Sequence, residues 1–308
     1  MNGPGTGVAW LAMTQSDAVN QAGTSSGEKP EGVRPRLLAS TGPLLMRQLG
    51  WTFDVFADAG YREAELLISH NPDSRDADKV LAYAQEAGLS VPVVHGPYMV
   101  ILRRVLGTDY VEKTKASLEI AAEIGAQSLV AHAPFRWERS ARRWLKGEVH
   151  RHARILGVDF AMENLYPVAG RAFSSAITPE DLLAYPHVVF DTSHFAVSEI
   201  DLFHAWDILK AQVSHLHVSD NFGTGKDNHA PIGSGVLPLE SFLAHVGSSG
   251  YSGTITLELD CRQYLDSRDS LVAFLARERV KAEELLTGTV PAPPPPERPT
   301  ALLADETS

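Results

Sequence analysis

Hydrophobic positions along this chain follow two alternating patterns. Short runs rich in Val, Leu and Ile recur at 37–40, 63–68, 90–95, 127–132, 158–163, 188–191, 213–218 and 254–258. Apolar runs of that length read as strands buried on both faces of a parallel sheet. Between them lie longer stretches with apolar residues at i, i+3 and i+4 spacing. Leu271, Phe274 and Leu275, followed by Ala282, Leu285 and Leu286, mark one such helix face. Gly88 and Gly125 stand just ahead of the third and fourth runs, where a glycine ends a helix in the left-handed conformation. Eight strand and helix pairs over residues 37–286 predict a single α/β domain, a (β/α)8 barrel, a fold that takes about 250 residues. The competing doubly wound sheet lacks a Gly-rich phosphate loop after its first strand.

The two ends break this pattern. Residues 1–36 are rich in Gly, Ser, Thr, Asn and Pro and sustain no hydrophobic period, which predicts a disordered N-terminal tail. Residues 287–308 contain Pro291, Pro293, Pro294, Pro295 and Pro296, which predicts an extended, disordered Pro-rich C-terminal tail.

Composition narrows the function classes. The net charge of −11, from 27 basic and 38 acidic residues, offers no global field to a polyanion. A single cysteine, Cys261, excludes an intrachain disulfide and a thiolate metal cluster, so any metal must be held by His and carboxylate. No apolar run approaches the ~20 residues of a membrane span. The apolar patch at 8–13 has no basic residues ahead of it, unlike a signal peptide. We therefore expect a cytoplasmic protein without a membrane partner.

Candidate chemistry lies where six successive predicted strands end. His95, His132, Glu163, Asp191, His217 and Glu258 each close a strand or stand beside its last residue. In a barrel those C-terminal ends converge on one mouth. One such residue alone has an ordinary structural role; Asp191, for example, is a suitable helix N-cap. Six in register form a ring of buried carboxylates and imidazoles that needs a cation or hydrogen bonds to satisfy it. His194 follows Asp191 in the run Asp191-Thr192-Ser193-His194, and Asp227 and His229 stand two apart, on one side of an extended segment. Nitrogen and oxygen ligands without sulfur suit divalent Zn, Mn, Mg or Co, the imidazole share favouring Zn or Mn. Nine candidates exceed what one ion uses, so either more than one ion is bound or some of the nine hold substrate. The expected cofactor is one to three such ions.

These runs resemble the xylose isomerase-like barrels, a superfamily that includes sugar-phosphate isomerases and epimerases and the endonuclease IV type of abasic-site nuclease. The likeness is carried by His95-Gly96-Pro97-Tyr98, His132-Ala133-Pro134, Glu163-Asn164, Asp191-Thr192-Ser193-His194, His215-Leu216-His217-Val218-Ser219-Asp220, Asp227-Asn228-His229 through Gly233-Ser234-Gly235, and Glu258. In the isomerase branch the resemblance implies one ion held by Glu163, Asp191, His217 and Glu258. Glu163 and Glu258 would then act as acid and base on a sugar or sugar phosphate, and His194 would hold a substrate oxygen. In the endonuclease IV branch it implies three zinc ions: His95, His132 and Glu163 for the first; Glu163, Asp191, His217 and Glu258 for the second; His194, Asp227 and His229 for the third. That branch would make the chain a phosphodiesterase with DNA as partner.

Departures from the nuclease favour the isomerase reading on sequence alone. Ala39-Ser40-Thr41-Gly42-Pro43 replaces the nuclease's His-containing, Gly-rich first loop, and Ser69-His70-Asn71-Pro72-Asp73-Ser74-Arg75 has little basic character for a minor groove. Ala133-Pro134-Phe135 stands where the nuclease has Gly-Ser-His. The basic stretch 136–154 reads as a solvated helix face with Trp137 and Trp144 packed inward.

Overall fold

The computed structural model describes residues 34–98 and 101–289. Eight parallel strands close into a barrel in sequence order: β1 Arg36–Ser40, β2 Glu63–Leu67, β3 Ser90–His95, β4 Ser128–His132, β5 Asp159–Glu163, β6 Val188–Asp191, β7 Val213–Val218 and β8 Thr254–Leu257. Each differs from its predicted run by no more than a residue at either end. Glu258 lies one residue beyond β8. The predicted tails fall outside the described residues apart from 34–36 and 287–289, of which Arg36 opens β1 and Thr287 closes the last helix.

The helices are α1 Leu49–Asp58, α2 Ala77–Ala87, α3 Tyr110–Ile124, α4 Arg139–Leu145, α5 Glu148–Leu156, α6 Pro179–Leu182, α7 Thr192–Val197, α8 Leu202–Leu209, α9 Leu239–Ser248 and α10 Arg268–Thr287. Local sequence sets their ends. Asp76 and Asp109 cap α2 and α3 by accepting from the Lys79 and Glu112 amides, and Gly88 and Gly125 end them at positive φ. The apolar face of α10 (Leu271, Phe274, Leu275, Ala282, Leu285 and Leu286) is buried in the layer between helices and strands. Among the described residues no helix is long and apolar enough to cross a membrane.

Inside the barrel the packing is divided. Leu38, Val93, Val130, Ala161 and Val189 form a small apolar core of their own. At the same level the register sets Glu65 beside Val93, His215 beside Val189 and Thr254 beside His215. Glu65, His215, Thr254 and Thr256 are all buried, so the side formed by β2, β7 and β8 is polar. That polar side supports the chemistry above it.

Candidate metal centre at the barrel mouth

Every candidate ligand predicted from the sequence reaches one region at the C-terminal ends of the strands. Glu163 is its hub. Its Oε2 lies 2.7 Å from His132 Nε2 and 3.2 Å from His95 Nε2, and its Oε1 lies 2.9 Å from His217 Nδ1. His217 Nδ1 is also 3.7 Å from Asp191 Oδ2 and 3.6 Å from Glu258 Oε2. Asp227 Oδ2 lies between two imidazoles, 2.8 Å from His229 Nε2 and 3.3 Å from His194 Nε2. Donor atoms of His95, His132 and Glu163, of Glu163, Asp191 and His194, and of Asp191, His217 and Glu258 are close enough within each set to share an ion.

The imidazoles are oriented by their other nitrogens. His95 Nδ1 donates to the Gly96 carbonyl (2.6 Å), His194 Nδ1 to the Asn164 carbonyl (2.7 Å) and His229 Nδ1 to the Glu258 carbonyl (2.9 Å). In the neutral ring that leaves Nε2 as a lone pair facing carboxylate oxygens. Two lone pairs at hydrogen-bond distance repel unless a proton or a cation lies between them. Asp191 gives the same indication. Its Oδ1 caps α7 by accepting from the His194 amide (2.8 Å), while its buried Oδ2 has no hydrogen-bond partner. An all-nitrogen-and-oxygen donor set with an orphaned, buried carboxylate oxygen fits one or several divalent cations.

Protonation follows from the same geometry. Burial opposes charge on Glu163, yet His132 and His217 hold its carboxyl well below the usual range. Burial likewise opposes charge on Asp227, and His229 and His194 lower it. Against burial, Asp227 pushes His229 up to about 10, carboxylates led by Asp191 raise His194, and Glu65 followed by Glu163 raises His217. Without metal these three rings are imidazolium at neutral pH. An entering cation must displace their protons, so apparent affinity should rise with pH, by about tenfold per pH unit for each proton released. Calorimetric zinc titrations in buffers of different ionisation enthalpy should show net proton release near neutrality; zinc binding with no proton release would contradict this charge arrangement.

The scaffold around the ligands contains residues that sequence reasoning missed. The Asn164 side chain receives the Asp191 amide (2.7 Å) and donates to the Asp191 carbonyl (3.0 Å), tying β5 to β6. Tyr98 donates to Glu258 Oε1 (2.8 Å), and Ser40 approaches the same oxygen (3.2 Å). Burial and the Glu258 charge push the Tyr98 hydroxyl well above its ordinary value, so it remains a neutral donor. Glu65, buried in β2, meets His215 and His217. The signal for it was available: a carboxylate in the middle of a strand buried on both faces needs a partner, and His215-Leu216-His217 offers two imidazoles.

Asp227 and His229 meet as expected, but not on an extended segment. His229 has φ of +48°, a left-handed conformation that non-glycine residues seldom adopt. The surrounding chain holds it there. Asp220 and Ala230 exchange backbone hydrogen bonds, and the His229 carbonyl accepts from the Asp260 amide. Asp220, fully buried, accepts from the amides of Asn221, Gly235 and Leu237 and so closes the loop that carries both ligands. A Cβ at Gly235 would collide with the Asn221 carbonyl and the Asp220 carboxylate. Gly235→Ala should therefore destabilise the fold by about 1–3 kcal/mol and loosen the His194–Asp227–His229 group, as overpacked positions do. Thermal unfolding together with zinc stoichiometry checks this; an unchanged melting temperature and full zinc loading would refute it.

Above the candidate ligands is a mouth of about 220 Å³ lined by Tyr98, Phe135, Tyr166, Phe173 and six of the nine, His95, Asp191 and His217 lying outside the lining. Tyr166 packs on the His194 ring, with centroids 4.8 Å apart. Trp144 is packed against the core as expected, but Trp137 is not. It is 62% exposed and stacks face to face on Phe135, whose backbone bridges to Ser174.

Comparison with known proteins agrees with this architecture. The family described as "Xylose isomerase-like TIM barrel" matches residues 53–284. An uncharacterized protein of Mycobacterium leprae is 28% identical over 256 residues, 76% of this chain and 89% of its own length. A probable endonuclease 4 of Mycobacterium leprae is 25% identical over 224 residues, 65% of this chain and 81% of its own. Among solved structures, 3-keto-D-glucoside 4-epimerase from E. coli superposes with a TM-score of 0.60 at 20% identity, covering 79% of this chain and all of the epimerase, a likeness of fold.

Proposed function

Starting from a chain that belongs to the xylose isomerase-like TIM barrel family, we propose that it is a metal-dependent phosphodiesterase of the endonuclease IV type, holding three divalent ions. The observation that carries this reading is the His194–Asp227–His229 group, with Asp227 Oδ2 directed at both imidazoles. A one-ion isomerase needs Glu163, Asp191, His217 and Glu258. It leaves His95, His132, Asp227 and His229 as buried or ion-paired groups without a task. Three ions use all nine: His95, His132 and Glu163 for one, Glu163, Asp191, His217 and Glu258 for another, and His194, Asp227 and His229 for the third.

Bound there, divalent ions would neutralise phosphoryl oxygens and lower the pKa of an attacking water. The protein's own groups set the geometry. Glu163 links two ligand groups, Tyr98 fixes Glu258, and Asn164 fixes both Asp191 and His194. The aromatic walls restrict water and accept the body of one sugar unit, and the mouth volume suits a single extruded or terminal unit better than a paired duplex.

The test is hydrolysis of a duplex with an abasic site, and of bis-para-nitrophenyl phosphate, by zinc-loaded protein. Chelator-sensitive cleavage is expected. A second reading, a sugar or sugar-phosphate isomerase or epimerase, is favoured by the approach of both Glu163 and Glu258 to His217 Nδ1, at 2.9 and 3.6 Å. Absence of phosphodiester cleavage, with metal-dependent incorporation of solvent deuterium next to a ketose carbonyl, would establish that reading instead.

A further inference from the structure

Beneath the ligands the barrel interior carries a polar chain that no step above uses. Glu65 sits on β2 with no solvent exposure. Both of its carboxylate oxygens lie 3.1 Å from His217 Nε2, and Oε2 is also 3.0 Å from His215 Nε2. His215 Nδ1 in turn lies 2.6 Å from the Thr254 hydroxyl, and Thr256 Oγ1 is 3.1 Å from His215 Nε2. Once an entering cation has displaced the Nδ1 proton of His217, proton placement has one consistent solution. Thr254 donates to His215 Nδ1, His215 Nε2–H donates to Glu65, and His217 Nε2–H donates to Glu65. His217 Nδ1 is left as the lone pair that faces Glu163, Asp191 and Glu258.

We propose that Glu65 is a positioning residue for the metal centre: it fixes the His217 tautomer and ring so that Nδ1 is the ligand atom, and His215 and Thr254 hold Glu65 in turn. The proposal rests on the reading of His217 as a metal ligand, which the phosphodiesterase and isomerase mechanisms share. Glu65 is also within reach of a donor set with His95 and His217. Its two oxygens are already engaged by imidazole N–H groups, however, and His95 Nε2 turns to Glu163 instead. Carboxylates that hold a ligating imidazole from behind raise its basicity and remove its rotational freedom, and losing one costs about 10–100-fold in metal affinity.

The test is zinc titration of the full-length protein against a chromophoric chelator, for wild type, Glu65→Gln, His217→Ala and the double variant. We expect Glu65→Gln to weaken one zinc by about 10–100-fold while the number of ions per chain at saturating zinc stays unchanged. In the His217→Ala background the same substitution should cost nothing further, because the effect passes through His217. Unchanged affinity in Glu65→Gln, or an equal loss with and without His217, would overturn the proposal. Loss of one whole ion would also overturn it, since Glu65 would then be a ligand. Should Glu65→Gln not fold, long-range proton–nitrogen NMR spectra of zinc-loaded wild type decide the matter: Nε2–H with a metal-shifted Nδ1 at His217 supports the proposal, and the reverse tautomer overturns it. Failure of wild type to bind zinc at all would overturn the metal reading beneath it and is distinct from each of these results.

Discussion

Glu163→Gln is expected to abolish catalysis and to release metal from two donor groups at once. The Glu163 carboxylate serves His95 and His132 with one oxygen and His217 with the other. An amide of the same shape retains one acceptor and places an uncharged N–H2, which does not ligate a cation, where the other oxygen was. Loss of an outer partner of a ligand costs about 10–100-fold, so loss of this bridge should lower kcat/KM by more than about 100-fold. At least one ion per chain should leave with it. Elemental analysis of the purified variant and a turnover assay check both; retention of full metal content with modest loss of rate would show that Glu163 is not a bridge.

Asp227→Ala should have the second largest effect, and it separates the two chemistries. Asp227 joins His194 and His229 and makes no contact with the Glu163 hub. Its removal leaves two imidazoles with no carboxylate between them and a buried Ser193 hydroxyl without its 2.6 Å acceptor. One ion per chain should be lost, and phosphodiester cleavage should fall by about 100-fold or more, as when a preorganised charge-stabilising group is deleted. An isomerase using Glu163 and Glu258 around one ion would keep its metal and most of its rate. Measuring metal content and both activities on this variant therefore distinguishes the readings without reference to the others.

The sequence made the barrel legible because parallel strands buried on both faces leave compact apolar runs, and because Asp and Gly caps delimit the helices between them. The ligand set was legible for a related reason: polar residues at the ends of such runs are conspicuous. Position along a strand conveys direction, and direction in a barrel conveys convergence. Three features escaped that reasoning. Glu65 lies in the middle of a doubly buried run, which signals that it needs a partner, but only closure of the barrel brings β2 to the His215 and His217 of β7. His229 reaches Asp227 through a left-handed backbone maintained by contacts with Asp220, Ala230 and Asp260, which are remote in sequence or set by the loop's fold. Trp137 packs on Phe135, a contact invisible to helical periodicity.

Geometry also shifts the weight between the two functions. The acidic net charge and the altered loops favour small substrates on sequence alone, and the modest mouth agrees with a small sugar moiety. Neither observation explains why Asp227 lies between His194 and His229, or why His95 and His132 share one oxygen of Glu163. The proposed phosphodiesterase, admitting one sugar unit, would account for both the nine candidate ligands and the small mouth.

The most direct test of the central claim is the zinc content of the purified, reloaded protein per mole of chain, by elemental mass spectrometry. About three ions are predicted, one for each donor group, as in multimetal phosphoester sites. A single ion that persists in Asp227→Ala would contradict the account and return the barrel to isomerase chemistry.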